Sequence, residues 1–350
     1  MSDKKVSIGH VDLGKGLPCL LVAEIGLNHN GSLSLAHQLI DVAAESGASM
    51  VKFQKRSPKD LATAEFLKAP FAKAPLFGRT QEEVRRRLEF SQPQMKELAE
   101  HAKELNLLFS FTAFDLPSLK VATDLRLPVL KIASHSMTNG PLLNAMAATK
   151  LPIIASTGGV TWDELDKAVA TLKSSPLILL HCASAYPCPD NLVFLDTITE
   201  LQKRFGCPVG YSGHEAGIDL SIAAATLGAV LIERHFTINR AMVGLDHGIS
   251  LEPLEFSAMA SSIRRIEKAR GVSSGILPEE LPSRLNYHVA IRVNRAVQPG
   301  EVLRETDLIC KQPLRDDKLF FTGLEIGKVI GEKLKVALAP EDAIPRSAVE

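Results

Sequence analysis

Two histidines, two lysines and a set of serines sit at the ends of short apolar runs, and their types point to metal and anion chemistry. His214 and His235 each follow such a run, in neighbouring units of the chain. Neutral imidazoles from adjacent strands can converge on one divalent cation. Two are too few for a closed structural zinc site, so the ion would keep positions open for substrate and water. Glu233 and Asp246 lie close by in sequence. A lone histidine is more often structural; the equivalent placement of these two argues for a shared ion. Lys52 and Lys131 lie inside apolar runs, where lysine is rarely structural. With Ser134, Ser156, Ser184 and Ser212 they form an anion cradle without a Walker-type loop: ammonium charge plus directed hydroxyls, suited to phosphate or carboxylate. The same lysines admit a Schiff-base role, and the residues alone leave both readings open. Glu24, in AEIGLNHNG, could act as acid or base, or orient a water. The NHNG after it reads as a turn, with Gly31 allowing a tight bend.

The elements that must position these groups follow a simple alternation. Short runs occur at 19–24, 49–54, 107–114, 128–134, 152–157, 177–184, 208–213 and 229–236. They are rich in Val, Ile, Leu and Phe, as expected of strands buried on both faces. Helix-length segments with 3.6-residue spacing separate them, such as TWDELDKAVATLK at 161–173. About eight βα units in a row are the number at which a parallel sheet closes, so the expected fold is α/β, a (β/α)₈ TIM barrel; a doubly wound open sheet is the alternative. Nearly every run ends in polar residues: Glu24; Lys52 and Gln54; Thr112; Lys131 and Ser134; Ser156; His181 and Ser184; Ser212 and His214; Glu233 and His235. The carboxyl ends of barrel strands ring one mouth, where the active site sits. Some of the serines and threonines would merely cap helices.

One connection is too long for a βα loop. Residues 55–91 are expected to be an irregular insertion carrying Lys55, Arg56, Lys59, Lys68, Lys73, Arg79, Arg85, Arg86 and Arg87, either a solvated excursion or a lid touching an anionic substrate. The barrel would occupy 1–270, with 271–285 as a Gly/Pro/Ser linker and 286–350 as a small β-rich domain that leans on the barrel or on a partner subunit.

Composition narrows the function classes. Of 350 residues, 40 are Lys or Arg and 40 are Asp or Glu, so no global field attracts nucleic acid or an anionic membrane. The five cysteines include no CxxC and read as free thiols of a reducing compartment. The first apolar run is too short for a signal-peptide core or a membrane span, and a cytoplasmic location is expected.

AEIGLNHNG, VKFQK, KIAS, HCASAYP, VGYSGHEAG, ERHFT and LDHGISLEP, in this order, resemble the sialic acid synthase (N-acetylneuraminate synthase) family over almost the whole barrel. The tail, with AVQPGEVLRETDL and IGKVIGEKL, is similar to that family's C-terminal antifreeze-like (SAF) domain. The resemblance implies that phosphoenolpyruvate condenses with an N-acylated hexosamine aldehyde, N-acetylmannosamine or its 6-phosphate among them, giving a sialic-acid-like nonulosonic acid and phosphate. It implies that His214 and His235 hold Mn²⁺, with Mg²⁺ or Co²⁺ as alternatives. Lys52, Lys131, Ser134, Ser156, Ser184 and Ser212 would bind phosphoenolpyruvate; Glu24 would manage protons or water; Gln54, Thr112, Tyr186 and Asp246 would meet the sugar. It also implies a domain-swapped homodimer in which the C-terminal domain covers the partner's barrel mouth. The chain departs from the family at Ser134-His135-Ser136, at Ser184-Ala185, at Gly244-Leu245-Asp246-His247, and at Asn286-Tyr287-His288-Val289-Ala290, where the family's sugar-contacting arginine is missing. The basic insertion would suit a phosphorylated sugar. The rivals are a 3-deoxy-sugar-acid synthase using another aldose phosphate, a Schiff-base aldolase built on Lys131, and a non-catalytic sugar-binding barrel.

Overall fold

The computed structural model describes residues 4–72 and 75–350. The chain divides into two compact units, with the boundary between Arg270 and Gly271.

The first unit begins with a hairpin, β1 (Val6–Ile8) and β2 (Val11–Leu13). Eight parallel strands follow: β3 (Leu20–Gly26), β4 (Met50–Lys55), β5 (Leu108–Ala113), β6 (Leu130–Ile132), β7 (Ile153–Ser156), β8 (Leu177–His181), β9 (Val209–Gly213) and β10 (Leu231–His235). They close in sequence order, β10 pairing with β3 in the register Leu231↔Leu20 to His235↔Glu24, so the sheet is a barrel and not an open sheet.

The period-2 alternation of each strand sorts its side chains into two cores. Leu21, Ala23, Val51, Phe53, Phe109, Ile132, Ala155, Leu179 and Ile232 point outward and pack under the helices. Leu20, Val22, Met50, Leu108, Val129, Ile154, Ile178, Leu180 and Leu231 point inward at one end, where Val6, Ile8 and Leu13 of the hairpin join them. One end of the barrel is therefore filled with apolar groups, and the polar residues one step further along each strand gather at the other. Gly210 marks the tightness of this interior: a Cβ there would lie 2.6 Å from the Leu231 carbonyl oxygen and 2.7 Å from Leu180 Cδ2.

Helices start at polar caps that satisfy their free N–H groups. Ser32 accepts from Leu35 N, and Thr161 and Glu164 form a reciprocal capping box. The 55–91 segment is not irregular. It holds three short helices, Pro58–Leu61, Ala64–Lys68 and Gln81–Leu88, the last two capped by Thr63 and Thr80. Val84 and Leu88 bury with Leu27 in a small core of their own, which gives the excursion its order. Lys73 lies outside the described residues.

In the second unit, β11 (Ala290–Val293) and β12 (Leu308–Lys311) pair antiparallel over a core that includes Ile291, Val293, Phe321, Val329, Leu334 and Ile344. The stretch expected as a linker ends in structure: a turn at Pro278–Glu280 leads into a helix at Leu281–Tyr287. Its prolines fall in first turns, where a missing N–H costs nothing, so they start the helix instead of interrupting it. All five cysteines are free. No helix among the described residues is long and apolar enough to cross a membrane.

Candidate active site

The polar ends of the strands enclose a cavity of about 410 Å³, lined among others by Glu24, Lys52, Gln54, Thr112, Lys131, Ser134, Ser156, Ser184, Tyr186, Ser212, His214, Glu233 and His235. That volume is in the range of small-molecule sites. Asp246 is not in its wall but stands behind His235, its Oδ2 3.9 Å from Nδ1 of that ring. A Cβ added to Gly26, which has a left-handed φ of +55°, would touch Gln54, Glu24 and Asp246 at once, so the three converge on that backbone position.

The floor is a buried charge network. Lys52 forms a close ion pair with Glu24, donates to Thr112 Oγ1 at 3.1 Å, and lies 3.7 Å from Glu233 Oε1. Lys131 donates to Ser156 Oγ at 2.6 Å and to the Ile132 carbonyl at 3.2 Å, and lies 3.8 Å from the same Glu233 oxygen. That oxygen also accepts from Ser212 Oγ at 3.1 Å. Burial raises the Glu24 carboxyl to about 7, against the pull of Lys52. Burial pushes both ammoniums down. For Lys52 it is outweighed by Glu233 and Glu24, which hold the group above its ordinary value; Lys131 stays below its own, with Lys52 adding to the depression. The Glu233 carboxyl would rise on burial, but Lys131 and Lys52 keep it low and ionised.

On one wall Ser134 Oγ accepts from Gly158 N at 3.0 Å and touches Cys182 Sγ at 3.1 Å. Ser184 sits against Gly158, where a Cβ would come within 2.6 Å of its Oγ. At the ends of the neighbouring strands β9 and β10 the His214 and His235 rings are 5.5 Å apart, and Tyr186 lies 4.2 Å from His214. His214 Nδ1–H donates to the Ala183 carbonyl at 2.9 Å, which leaves the Nε2 lone pair free. His235 Nδ1 is buried with no hydrogen-bond partner. Burial lowers both imidazoles, His214 to about 4, so both are neutral and able to bind a cation. Two neutral rings with an orphaned nitrogen fit a divalent ion whose remaining positions are open. No closed set of three or more His, Cys, Asp or Glu occurs among the described residues.

Both strand tips that carry these rings are pinned from outside the barrel. Arg234, between Glu233 and His235, points outward and donates to Glu215 Oε1 at 2.9 Å, to the Glu215 carbonyl at 2.6 Å, to the Gly217 carbonyl at 2.8 Å and to Ser221 Oγ at 2.9 Å. Glu215 follows His214 directly and also accepts from Tyr211 at 2.7 Å.

One residue expected at the mouth is absent from it. His181 faces the helices, with Nε2 2.5 Å from the Val193 carbonyl oxygen and its ring beside Tyr211. Alternation explains this: Leu180 and Cys182 point inward, so His181 cannot. Cys182, His135 and Phe114 line the cavity without having been foreseen. The same alternation would have found Cys182; Phe114 and His135 lie past their strands, where no period applies. From the basic insertion, Arg56 and Arg85 reach the cavity, while Lys59, Lys68, Arg79, Arg86 and Arg87 are exposed.

Comparison with known proteins gives a consistent picture. Residues 39–274 match the model of the NeuB family. An N,N'-diacetyllegionaminic acid synthase of Campylobacter jejuni is 38% identical over 303 residues, 84% of this chain and 90% of its own. A human N-acetylneuraminate-9-phosphate synthase is 32% identical, over 95% of this chain and 93% of its own. The crystal structure of an N-acetylneuraminic acid (sialic acid) synthetase from Leptospira borgpetersenii, in complex with citrate, superposes with a TM-score of 0.70 at 33% identity, covering 81% of this chain and 95% of that one.

Proposed function

The chain belongs to the NeuB family, and on that premise we propose that it condenses phosphoenolpyruvate with an N-acylated hexosamine aldehyde and water, giving a nonulosonic acid and phosphate. The observation that carries this reading is the paired cradle. Lys52 and Lys131 share Glu233 on the floor of the same cavity whose wall holds two neutral imidazoles. The relatives are named as synthases of different sugar acids, so the family leaves the sugar open.

In this reading Lys52, Lys131, Ser134, Ser156, Ser184 and Ser212 bind the phosphate and carboxylate of phosphoenolpyruvate. Two ammoniums against two carboxylates make the floor nearly neutral. A Glu24 carboxyl that holds its proton up to about pH 7 tilts it toward accepting an anion. Gln54, Thr112, Tyr186 and Asp246 orient the sugar so that carbon 3 of phosphoenolpyruvate meets the aldehyde carbon. A carbon–carbon bond forms there as the carbon 2–carbon 3 double bond gives up its electron pair, and the aldehyde oxygen takes the proton of the Glu24 carboxyl; water adds at carbon 2 and returns a proton to Glu24, and the carbon 2–oxygen bond to phosphate then breaks to leave the keto group. His214 and His235 would hold a divalent ion, Mn²⁺ first, which supplies Lewis-acid polarisation of the aldehyde oxygen.

The same reading makes the C-terminal unit an antifreeze-like (SAF) domain of a cytoplasmic, domain-swapped homodimer; sedimentation of the full chain and of a chain ending at 270 tests that arrangement. The test of the activity is phosphate release from phosphoenolpyruvate against a panel of N-acyl hexosamines, hexoses, pentoses and their phosphates. Release with an N-acyl hexosamine is expected; release only with a tetrose or pentose phosphate would turn the assignment to a 3-deoxy-sugar-acid synthase. The depressed Lys131 ammonium favours one second reading, a Schiff-base aldolase. Borohydride trapping of pyruvate on Lys131 decides between them, and no trapped adduct is expected.

A further inference from the structure

The outer part of the cavity holds two guanidinium groups and an imidazole that the condensation does not use. Arg56 and Arg85 reach it from the 55–91 segment, and His135 from the loop after β6. Phe114 organises the group: its ring stacks on His135 at 5.1 Å with 7° between planes, and the Arg56 guanidinium lies 4.6 Å from its centroid. Arg85 packs over Phe66 at 5.0 Å and makes no hydrogen bond or ion pair among the described residues. The carboxylates do not balance them. Glu24 and Glu233, the acidic residues lining the cavity, are engaged by Lys52 and Lys131. Glu89 is taken by Lys55 at 3.0 Å, by Arg56 Nε at 3.2 Å and by the Arg56 backbone N–H. Burial first, then the Arg56 guanidinium, depresses both Arg85 and His135, so the imidazole is a neutral hydrogen-bonding group beside two charged guanidiniums.

We propose that Arg85, with Arg56 and His135, forms a second anion subsite at the outer end of the cavity, and that the aldose carries a phosphate monoester there, remote from its aldehyde. This rests on the synthase reading above, since the cradle on the floor already accounts for the phosphate of phosphoenolpyruvate. Guanidinium groups present paired N–H donors that match phosphate oxygens, and Arg85 is placed to give its whole hydrogen-bonding capacity to a ligand.

The test uses the full-length enzyme and three forms, wild type, Arg85→Gln and Arg85→Lys. Steady-state phosphate release is measured with phosphoenolpyruvate and either N-acetylmannosamine or its 6-phosphate. Wild type should favour the phosphorylated sugar by about tenfold or more in kcat/KM, the scale of one lost charged hydrogen bond. Arg85→Gln should remove most of that preference through KM for the sugar, with KM for phosphoenolpyruvate within about twofold, and Arg85→Lys should restore part of it. In parallel, calorimetric titration with N-acetylmannosaminitol and its 6-phosphate, which lack the aldehyde and cannot condense, reads the subsite without catalysis. Equal turnover of both sugars, an unchanged preference in Arg85→Gln, or a shift confined to KM for phosphoenolpyruvate would overturn the proposal. Absence of phosphate release across the whole sugar panel would remove the synthase reading instead, and the titration would still decide the subsite: equal affinity for alditol and alditol phosphate overturns it.

Discussion

Replacing Arg234 with methionine should destabilise the barrel by about 3–5 kcal/mol, the cost of breaking a buried ion pair by removing one partner. Arg234 and Glu215 are each 1% exposed. The guanidinium serves the Glu215 carboxylate, two backbone carbonyls and Ser221. Methionine fills much of the volume but leaves the carboxylate buried with only Tyr211 and Ser221 as donors. For a unit of this size the melting temperature should fall by roughly 6–20 °C, read by calorimetry near pH 7. Adding Glu215→Gln removes the stranded charge, so the double variant should recover part of the loss, and the cycle should show a coupling of at least about 1 kcal/mol. Because Glu215 follows His214 and Arg234 precedes His235, the single variant should also weaken divalent-metal binding. A melting temperature within about 2 °C of wild type, or strictly additive single effects, would refute this account of how the two strand tips are held.

Glu24 gives a pH signature. Its carboxyl is raised from 4.5 to about 7, so it is protonated below that pH and charged above it; kcat/KM for phosphoenolpyruvate should fall as pH rises through about 7, and the Glu24→Gln variant should lack that limb. The same raised value means that the charged form disfavours the folded state, so the stabilising contribution of Glu24 should be full below pH 4.5 and lost between there and about 7 in urea titrations. Gly210→Ala should cost about 1–3 kcal/mol through overpacking of the barrel interior, again read in urea; an unaltered midpoint would mean that the strand relaxes.

Much of the site could be read in the sequence because barrel strands impose a period. Lys52, Thr112, Lys131, Ser156, Glu233 and His235 each stand one or more inward steps beyond an apolar residue of the filled end, so residue type and spacing together place them at the mouth. Where the strand reading did not fix the phase, it failed: His181 is polar and at a strand end, yet one step out of register. The 55–91 segment gave no long period, and its three short helices are held by a local core around Val84 and Leu88 that no window of sequence displays. Phe114, His135 and Arg85 come together because β4, β5 and β6 lie side by side in the sheet, which joins residues that the chain keeps apart. The Arg234–Glu215 pair left no signal in the sequence, since nothing in the spacing of the two residues shows that they meet behind the site.

The central claim is that His214 and His235 grip one ion in the same cavity as the lysine–serine cradle. Equilibrium binding of Mn²⁺, followed by electron paramagnetic resonance on wild type, His214→Ala and His235→Ala, tests it most directly when phosphate release is measured on the same samples. One tight Mn²⁺ per chain in wild type is expected, lost in each variant together with phosphate release. Retention of that ion at wild-type affinity in both variants, or phosphate release that persists in either variant or in excess chelator, would contradict it.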